Sequence, residues 1–196
     1  MTLHRLNIGC GRTPTEGWLN YDNSWSVRLA KHPRLVKVLQ LLNFVKKEQL
    51  DFISYCSHAD IKWADATKRI PLPSDSLDVL YCSHMLEHLD KNEVKQFLQE
   101  AKRVLRRGGI IRIAVPDLQY HVDNYLQDKD ADIFISKLLL TKQRPKSLAA
   151  KLSYLLVSDR HHQWMYDGHS LCKLLKMEGF NDGILSKSAG QRVTTW

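Results

Sequence analysis

The sequence is poor in cysteine, and no two cysteines form a Cys-x-x-Cys pair. Its four cysteines are scattered along the chain at Cys10, Cys56, Cys82 and Cys172. Isolated thiols of this kind make neither a disulfide framework nor a zinc ribbon, and they are typical of a reducing compartment. We therefore expect a cytoplasmic protein.

Long hydrophobic runs are also absent. No run approaches the roughly 18 residues of a membrane span, and the first apolar run is too short for a signal peptide. The 196 residues contain no repeats, and 43% of them are apolar and 26% charged, which is typical of a soluble domain with a sizeable core. A net charge of +8 allows acidic partners but identifies none.

A short apolar run that ends in two glycines opens the chain. Residues 3–8 predict the first strand, and Gly9, Cys10 and Gly11 follow it. Glycine can take a positive φ, and without a Cβ it lets another molecule lie against the backbone. Such a turn at the carboxyl edge of a parallel sheet is where α/β proteins bind nucleotide-like ligands. A plain turn would show the same residues.

Strand and helix patterns alternate along the rest of the chain. Further strands are predicted at residues 18–22, 61–65, 77–82 and 110–115 and near Ile184, and helices at 26–56, 93–106 and 168–177, with a mostly helical insertion at 118–160. We expect Gly108 and Gly109 to cap the helix at 93–106. This alternation predicts an α/β fold in one domain over 1–196, with a doubly wound, mostly parallel sheet and helices on both faces.

The first crossover of this sheet is unusually short. Only ten residues separate Gly11 from Asp22. A βαβ crossover with its helix needs about a dozen residues or more, so we expect the first helix to be reduced to a turn.

Residues 27–50 are strongly basic. They hold six Lys or Arg residues against a single Glu. One interpretation is a helix that is solvated on one face and packed on the other. The alternative is peripheral contact with an anionic membrane surface or a lipid-linked substrate.

Several motifs then occur in a characteristic order. They are LNIGCG at 6–11, WADA at 63–66, IPLPSDSLD at 70–78, SHMLEHL at 83–89 and VLRRGG at 104–109, and the pattern resumes at 162–167 and 174–180. In combination they resemble the class I S-adenosylmethionine-dependent methyltransferases, in the small-molecule branch similar to methyltransferase type 11. The short link from the glycine turn to GWLNYD resembles a subset of that family that tends to belong to polysaccharide and cell-surface glycan pathways.

The resemblance implies S-adenosylmethionine as cofactor. The residues that it implies for binding are Gly9, Cys10 and Gly11 at the amino acid and ribose, Asp22 at the ribose hydroxyls, Asp65 with Ala66 at the adenine, and Ser83 with His84 at the methionine and sulfonium side. Asp22 and Asp65 could also be simple turn formers. The chain departs from the family pattern at Asn7, where an acidic residue is common, and at Thr13, where a third glycine is usual.

The implied reaction is methyl transfer to an oxygen, or less favourably a nitrogen, of a small molecule or glycan. A hydroxyl acceptor benefits from a general base, and histidine is the usual one near neutral pH. The candidates are His84, His88 and His162. We expect the insertion at 118–160 and the stretch at 162–167 to cover the acceptor.

Two histidine patterns could be mistaken for metal sites. The run from His84 to His88 matches a metallopeptidase motif, but it leaves a buried strand, and a longer helix would be needed. His161 and His162 fit no compact ligand set with His169 and Cys172. We therefore expect no metal. Nucleic acid is a minor possibility, because the basic residues are not interleaved with aromatics.

A second hypothesis is a non-catalytic cofactor-binding or partner protein on the same scaffold, since fold does not fix function. It is favoured by the short crossover and by the small number of residues after Phe180. Residues 184–196 barely suffice for the last two strands of this fold. We therefore expect the sheet to be incomplete or completed by a partner.

Overall fold

A computed structural model describes residues 4–140, 161–181, 183–188 and 191–195. Its single sheet has seven strands in the order β3-β2-β1-β4-β5-β7-β6. The strands are β1 Arg5–Ile8, β2 Leu19–Asp22, β3 Lys62–Trp63, β4 Leu77–Ser83, β5 Leu105–Pro116, β6 Ile184–Ser188 and β7 Gln191–Thr195. β1 to β5 pair in parallel, whereas β7 runs antiparallel to both β5 and β6. The predicted α/β sheet is confirmed.

Seven α-helices connect or flank these strands within the described residues. They are α1 Trp25–Leu29, α2 Pro33–Leu41, α3 Lys47–His58, α4 Lys91–Val104, α5 Leu118–Asp128, α6 Ala131–Leu138 and α7 Gly168–Met177, and a 3₁₀ turn occupies Leu86–His88. The predicted insertion is helical through α5 and α6. Its remaining residues, 141–160, lie outside the described part of the chain.

The order of the strands places a natural ligand crevice above β1 and β4. From β1 the chain builds outward to β2 and β3 on one side, then returns through β4 to β5 on the other. At such a switch point the two connections diverge and leave a crevice at the carboxyl ends of the strands. The loops that follow β1, β2, β3 and β4 therefore share one edge of the sheet.

α4 anchors the core under this crevice. Asp90 and Glu93 form a reciprocal capping box that satisfies the first backbone N–H groups of the helix. Phe97, Leu98 and Ala101 are fully buried on one face and join the main core cluster. The helix predicted at 93–106 is confirmed as α4.

Gly108 and Gly109 do not cap α4, which ends at Val104 and leads directly into β5. The register between β4 and β5 shifts in this stretch, because Leu77 pairs with Leu105 but Val79 pairs with Ile110. A Cβ on Gly109 would lie 3.1 Å from the carbonyl oxygen of Leu77. The two glycines therefore serve an irregular strand pairing, and the predicted cap is wrong.

The closing strands of the sheet are both present. β6 and β7 have five residues each and form an antiparallel pair within residues 184–195. The expectation that this region is too short, or needs a partner to complete it, is wrong because two strands of five residues each are enough to extend the sheet beyond β5.

The first crossover contains no helix, as predicted, and two buried asparagines organise it instead. Asn7 and Asn20 are register partners on β1 and β2. Asn7 Nδ2 donates to the carbonyl of Thr13 at 2.9 Å and lies 3.1 Å from Thr15 Oγ1. Asn20 Oδ1 accepts from the Thr15 N–H at 2.8 Å, and its Nδ2 donates to the Thr15 carbonyl at 3.0 Å. Side-chain amides thus take over the hydrogen bonding that a helix would provide.

Replacement of Asn7 by aspartate is expected to lower the free energy of unfolding by about 1–3 kcal/mol. The carboxylate has the same shape but cannot donate to the Thr13 carbonyl, and it would bury a charge beside that oxygen. Urea denaturation of both proteins measures the difference. The exposed Asn43→Asp variant is the control, and equal stability of Asn7→Asp and the wild type would contradict this role.

α2, like α5, lies on the surface of the fold. It has no buried residue, and its large apolar side chains at Leu35, Val38 and Leu41 are exposed, as is Leu42 directly after it. α1 and α3 pack on each other around Val27 and Cys56. None of the described helices is both long and apolar enough to cross a bilayer.

Candidate functional site

The predicted cofactor residues meet at one edge of the sheet. Ile8 pairs with Tyr21 on β2 and with Cys82 on β4. The residues that follow these three, Gly9, Asp22 and Ser83, are therefore level with one another on adjacent strands.

Asp65 lies one strand further along the same edge. Asp22 pairs with Trp63 on β3, and its carbonyl accepts from the Ala64 N–H at 3.2 Å. Asp65 and the buried Ala66 follow directly. The structure thus brings the glycine turn, both aspartates and the end of β4 to a single row.

The glycine turn is held by Asp22. The Gly11 N–H donates to Asp22 Oδ2 at 2.9 Å, and the Ser24 N–H donates to Oδ1 at 2.8 Å. Gly9 has φ +69°, and a Cβ there would lie 3.0 Å from Met85 Sδ. Over Gly11, which has φ +51°, a Cβ would meet no atom within 4 Å. The turn therefore needs glycine at Gly9 for close packing and leaves open space above Gly11.

This row of groups fits the cofactor that the motifs imply. A carboxylate oxygen accepts about two hydrogen bonds, so Asp22 can hold the turn and still accept from a hydroxyl ligand. The open space above Gly11 lets a ligand approach the backbone, which is how glycine-rich turns bind nucleotide-like molecules.

Cys10 contributes to this row through its backbone alone. Burial, with a smaller effect of the Asp22 charge, raises the pKa of the Cys10 thiol to about 12. A thiol with so high a pKa is not a nucleophile near neutral pH. Cys10 instead packs with Val27 and Ile61 beneath the turn.

Asp65 already has local hydrogen-bond partners. Its Oδ1 accepts from Thr67 Oγ1 at 2.7 Å, and its Oδ2 lies 2.9 Å from Lys68 Nζ. Burial acts to raise the pKa of this carboxyl, but the hydrogen bonds from Thr67 and Lys68 outweigh it and hold the pKa below its usual value. The turn-forming interpretation is thus satisfied, and a contact with adenine remains a prediction.

Replacement of Asp65 by alanine is expected to weaken S-adenosylmethionine binding at least tenfold. The variant would lose the predicted hydrogen bond to the adenine amine and loosen the turn at Thr67, and a tenfold change in affinity corresponds to about 1.4 kcal/mol. Isothermal titration calorimetry measures the change. Unchanged affinity would leave Asp65 as a turn former only.

His84 and Glu87 form a pair at the end of β4. The backbone N–H of His84 donates to the Ala114 carbonyl at 3.0 Å. The backbone of His84 has φ +50°, a left-handed conformation that is uncommon for residues other than glycine. Its Nδ1 lies 3.0 Å from Glu87 Oε1. The imidazole is 46% exposed, whereas the Glu87 side chain is only 1% exposed. This hydrogen bond raises the pKa of His84, against the effect of burial.

The other two candidate histidines lie against the same glutamate. His88 and His162 rings meet edge to face with centroids 5.2 Å apart. The ligand atoms of Glu87, His88 and His162 all lie within 4.8 Å of one another. Burial lowers the pKa of His162.

Backbone hydrogen bonds hold this cluster together. The N–H groups of Gln163 and Trp164 donate to the Glu87 carbonyl at 2.6 and 3.2 Å. The Leu118 N–H donates to the Tyr166 carbonyl at 2.8 Å. The segment at 162–166 is thus fixed to the ends of both β4 and β5.

Sequence reasoning gave Glu87 no role of its own outside a metal motif, yet the structure places it against all three candidate histidines. The motif from His84 to His88 is typical of a metal-binding helix, but Leu86, Glu87 and His88 form a 3₁₀ turn. The third partner, His162, lies far along the chain. A buried glutamate between two histidines was the available signal. Leu86 and Leu89 pack in the core.

Comparison with known proteins identifies the family. Residues 6–113 match a family model described as a methyltransferase domain. No curated protein sequence gives a significant match.

Solved structures share the fold at low sequence identity. A S-adenosylmethionine-dependent methyltransferase from Thermotoga maritima, described as a possible histamine N-methyltransferase, has a TM-score of 0.56 at 12% identity, covering 100% of this chain and 81% of its own. One from Archaeoglobus fulgidus has a TM-score of 0.52 at 16% identity, covering 98% and 85%. The complex of DhpI with S-adenosylhomocysteine has a TM-score of 0.54 at 9% identity, covering 98% and 74%.

The strand order, the row of groups at the carboxyl edge and the family match lead to one assignment. The match includes the glycine turn, both aspartates and the His84–Glu87 pair. The chain belongs to the class I S-adenosylmethionine-dependent methyltransferases.

Proposed function

We propose that this enzyme methylates a hydroxyl oxygen of a small molecule or a glycan. S-adenosylmethionine, when bound, supplies a methyl group that is already activated by its sulfonium. Gly9, Cys10 and Gly11 would hold its amino acid and ribose side through the backbone, and Asp22 its ribose hydroxyls. Asp65 with Ala66 would hold the adenine, and Ser83 with His84 would line the methionine side.

The observation that carries the oxygen assignment is the His84–Glu87 pair. A carboxylate oxygen can only accept, so Nδ1 of the neutral imidazole donates to Glu87 and the ring lone pair is on Nε2. A hydroxyl must lose its proton as the methyl group arrives, and a positioned imidazole can receive it. His84 is the most exposed of the three candidate histidines, whereas His162 is nearly buried.

Two segments follow β5 and lie where they can cover an acceptor at this end of the sheet. α5 begins at Leu118, directly after β5, with Asp117 as its buried N-cap. At the end of α6 the Leu139 carbonyl accepts from the His162 N–H at 3.1 Å. We propose that α5, α6 and residues 162–167 cover the acceptor, and that aligning the acceptor with the donor and excluding water are the main sources of rate.

Methyl transfer from ¹³C-methyl S-adenosylmethionine tests the proposal. Purified enzyme is incubated with hydroxyl acceptors such as sugars, nucleotide sugars and phenols, and in parallel with amines. The ¹³C resonance of the product distinguishes an O-methyl from an N-methyl group. We expect O-methyl product. N-methyl product alone would contradict the oxygen assignment, and bound cofactor without transfer to any acceptor would favour the binding-only hypothesis.

A second proposal concerns the basic segment at 27–50. We propose that it contacts an anionic membrane surface. The apolar side chains of Leu35, Val38 and Leu42 follow helical spacing and are exposed. Six exposed basic residues surround them, namely Arg28, Lys31, Arg34, Lys37, Lys46 and Lys47. Apolar and cationic groups together are typical of an interfacial helix.

We expect this protein to co-sediment with anionic vesicles, because each basic residue near such a surface contributes about 1 kcal/mol to the binding free energy. Replacement of Leu41, which is 82% exposed, by aspartate should reduce the bound fraction several-fold. Met177→Asp, at a position in α7 that is 75% exposed, is the control. Binding that does not depend on anionic lipid would remove this proposal.

A further inference from the structure

Three metal-ligating side chains converge where no metal was expected. Glu87 and His88 belong to the 3₁₀ turn after β4, and His162 joins them from the segment that is fixed beside it. Their ligand atoms lie within 4.8 Å of one another. Among the described residues, this is the only group of three such side chains with this proximity. Cys172 and His169 do not belong to it.

Glu87 offers an unsatisfied oxygen in this cluster. Its Oε1 is bonded to His84, but Oε2 has no hydrogen-bond partner within the described part of the chain. The side chain is 1% exposed. A buried polar atom without a partner is destabilising, and more so when it carries charge. A cation bound to Oε2 would remove that penalty.

Both imidazoles have their Nδ1 atoms occupied by acceptors. His88 Nδ1 lies 3.1 Å from the His161 carbonyl, which can only accept. His162 Nδ1 lies 3.2 Å from the Met165 thioether sulfur, which is also an acceptor. In the neutral His88 ring, therefore, Nδ1 carries the proton and Nε2 carries the lone pair. A backbone carbonyl that fixes the tautomer in this way is the usual outer partner of a metal-binding histidine. The His162 ring also has a hydrogen bond to the Leu138 backbone, and one of its two ring nitrogens faces the cluster.

We propose that Glu87, His88 and His162 bind one divalent transition-metal ion of the zinc class, through a carboxylate oxygen and one ring nitrogen of each histidine. Two histidines and one carboxylate form a common catalytic zinc set, which leaves a coordination position open. Imidazole ligands select first-row transition ions over Mg²⁺. This proposal reverses the expectation of no metal from the sequence.

The open position gives the ion a role if the acceptor is a hydroxyl, and this part rests on the proposed function. A bound divalent ion would hold the acceptor oxygen and lower the pKa of its hydroxyl. His84, which is bonded to Glu87 Oε1, would then stand beside that oxygen. Metal binding itself requires neither cofactor nor acceptor.

Titration of chelator-treated protein with Zn²⁺ and with Co²⁺ tests the site. Calorimetry should give one ion per chain, Co²⁺ should develop a visible absorption band, and Zn²⁺ should raise the melting temperature. Mg²⁺ should not compete. Glu87→Gln and His162→Gln should each weaken Zn²⁺ binding at least a hundredfold, whereas the exposed His169→Gln variant should bind like the wild type.

The outcomes separate this inference from the proposed function. Folded wild-type protein that binds no Zn²⁺ or Co²⁺, or variants that bind as tightly as the wild type, would overturn the metal site and leave hydroxyl methylation standing. Metal bound at these residues without any O-methyl product would support the metal site and contradict hydroxyl methylation. If Glu87→Gln fails to fold, His88→Gln with His162→Gln decides the question, because neither removes the buried carboxylate.

Discussion

Replacement of His84 by asparagine is expected to lower kcat for methyl transfer by a factor of about 10²–10⁴, the range that a positioned acid–base group contributes. Asparagine tolerates the left-handed backbone that His84 adopts at φ +50°. The variant therefore removes the imidazole without forcing the turn after β4 to change. The dissociation constant of S-adenosylmethionine should rise by less than about tenfold, because His84 would line only the methionine side of the cofactor and the glycine turn and Asp22 are untouched.

The control for this variant is His169→Asn, because His169 is an exposed histidine on α7, away from the cluster. Its kcat should equal that of the wild type. Single-turnover measurements with saturating cofactor separate the chemical step from product release. A His84→Asn enzyme with wild-type kcat would contradict the assignment of His84 as the proton acceptor.

Replacement of Asp22 by alanine is expected to weaken cofactor binding about a hundredfold, which corresponds to about 2.7 kcal/mol. Hydrogen bonds to a charged group contribute about 1.5–3 kcal/mol each. The variant loses those that the ribose hydroxyls would donate. It also releases the Gly11 and Ser24 N–H groups, which donate to this carboxylate at 2.9 and 2.8 Å. The glycine turn would therefore be less well ordered before the ligand arrives.

Calorimetry on Asp22→Ala and Asp22→Asn separates these two effects. Asparagine keeps one acceptor oxygen for the turn but loses the charge, so its affinity should fall between alanine and the wild type. The exposed Asp60→Ala variant, at a site before β3, is the control. If folded Asp22→Ala protein binds S-adenosylmethionine as tightly as the wild type does, Asp22 does not contact the ribose hydroxyls.

The sheet could be predicted from sequence because its signals are local. Short apolar runs that end in glycine or aspartate indicated β1, β2 and β3. Helical spacing of apolar residues indicated α4, whose face around Phe97 is buried in the structure. The boundaries at Gly108 and Gly109 could not be predicted, because a glycine that follows a helix suits a cap as well as an irregular strand. Only the pairing of Leu77 with Leu105 decides between them.

The acceptor side of the site could not be predicted because its contacts are long-range. His162 follows His88 by 74 residues in the sequence, yet the two rings are in contact. The carbonyl of His161, the residue before His162, contacts Nδ1 of His88. The role of Asn7, by contrast, depends on local hydrogen bonds within the first crossover, which the sequence pattern does not reveal. An amide can donate to the Thr13 carbonyl, and a carboxylate cannot.

Thermal unfolding in the presence of S-adenosylmethionine and S-adenosylhomocysteine tests the central claim most directly. A ligand at 100 times its dissociation constant stabilises the folded state by about 2.7 kcal/mol. For a chain of this size the melting temperature should rise by roughly 5–10 °C, and much less for Asp22→Ala. No rise with either ligand, in wild-type protein that unfolds cooperatively, would contradict a cofactor site at this edge of the sheet.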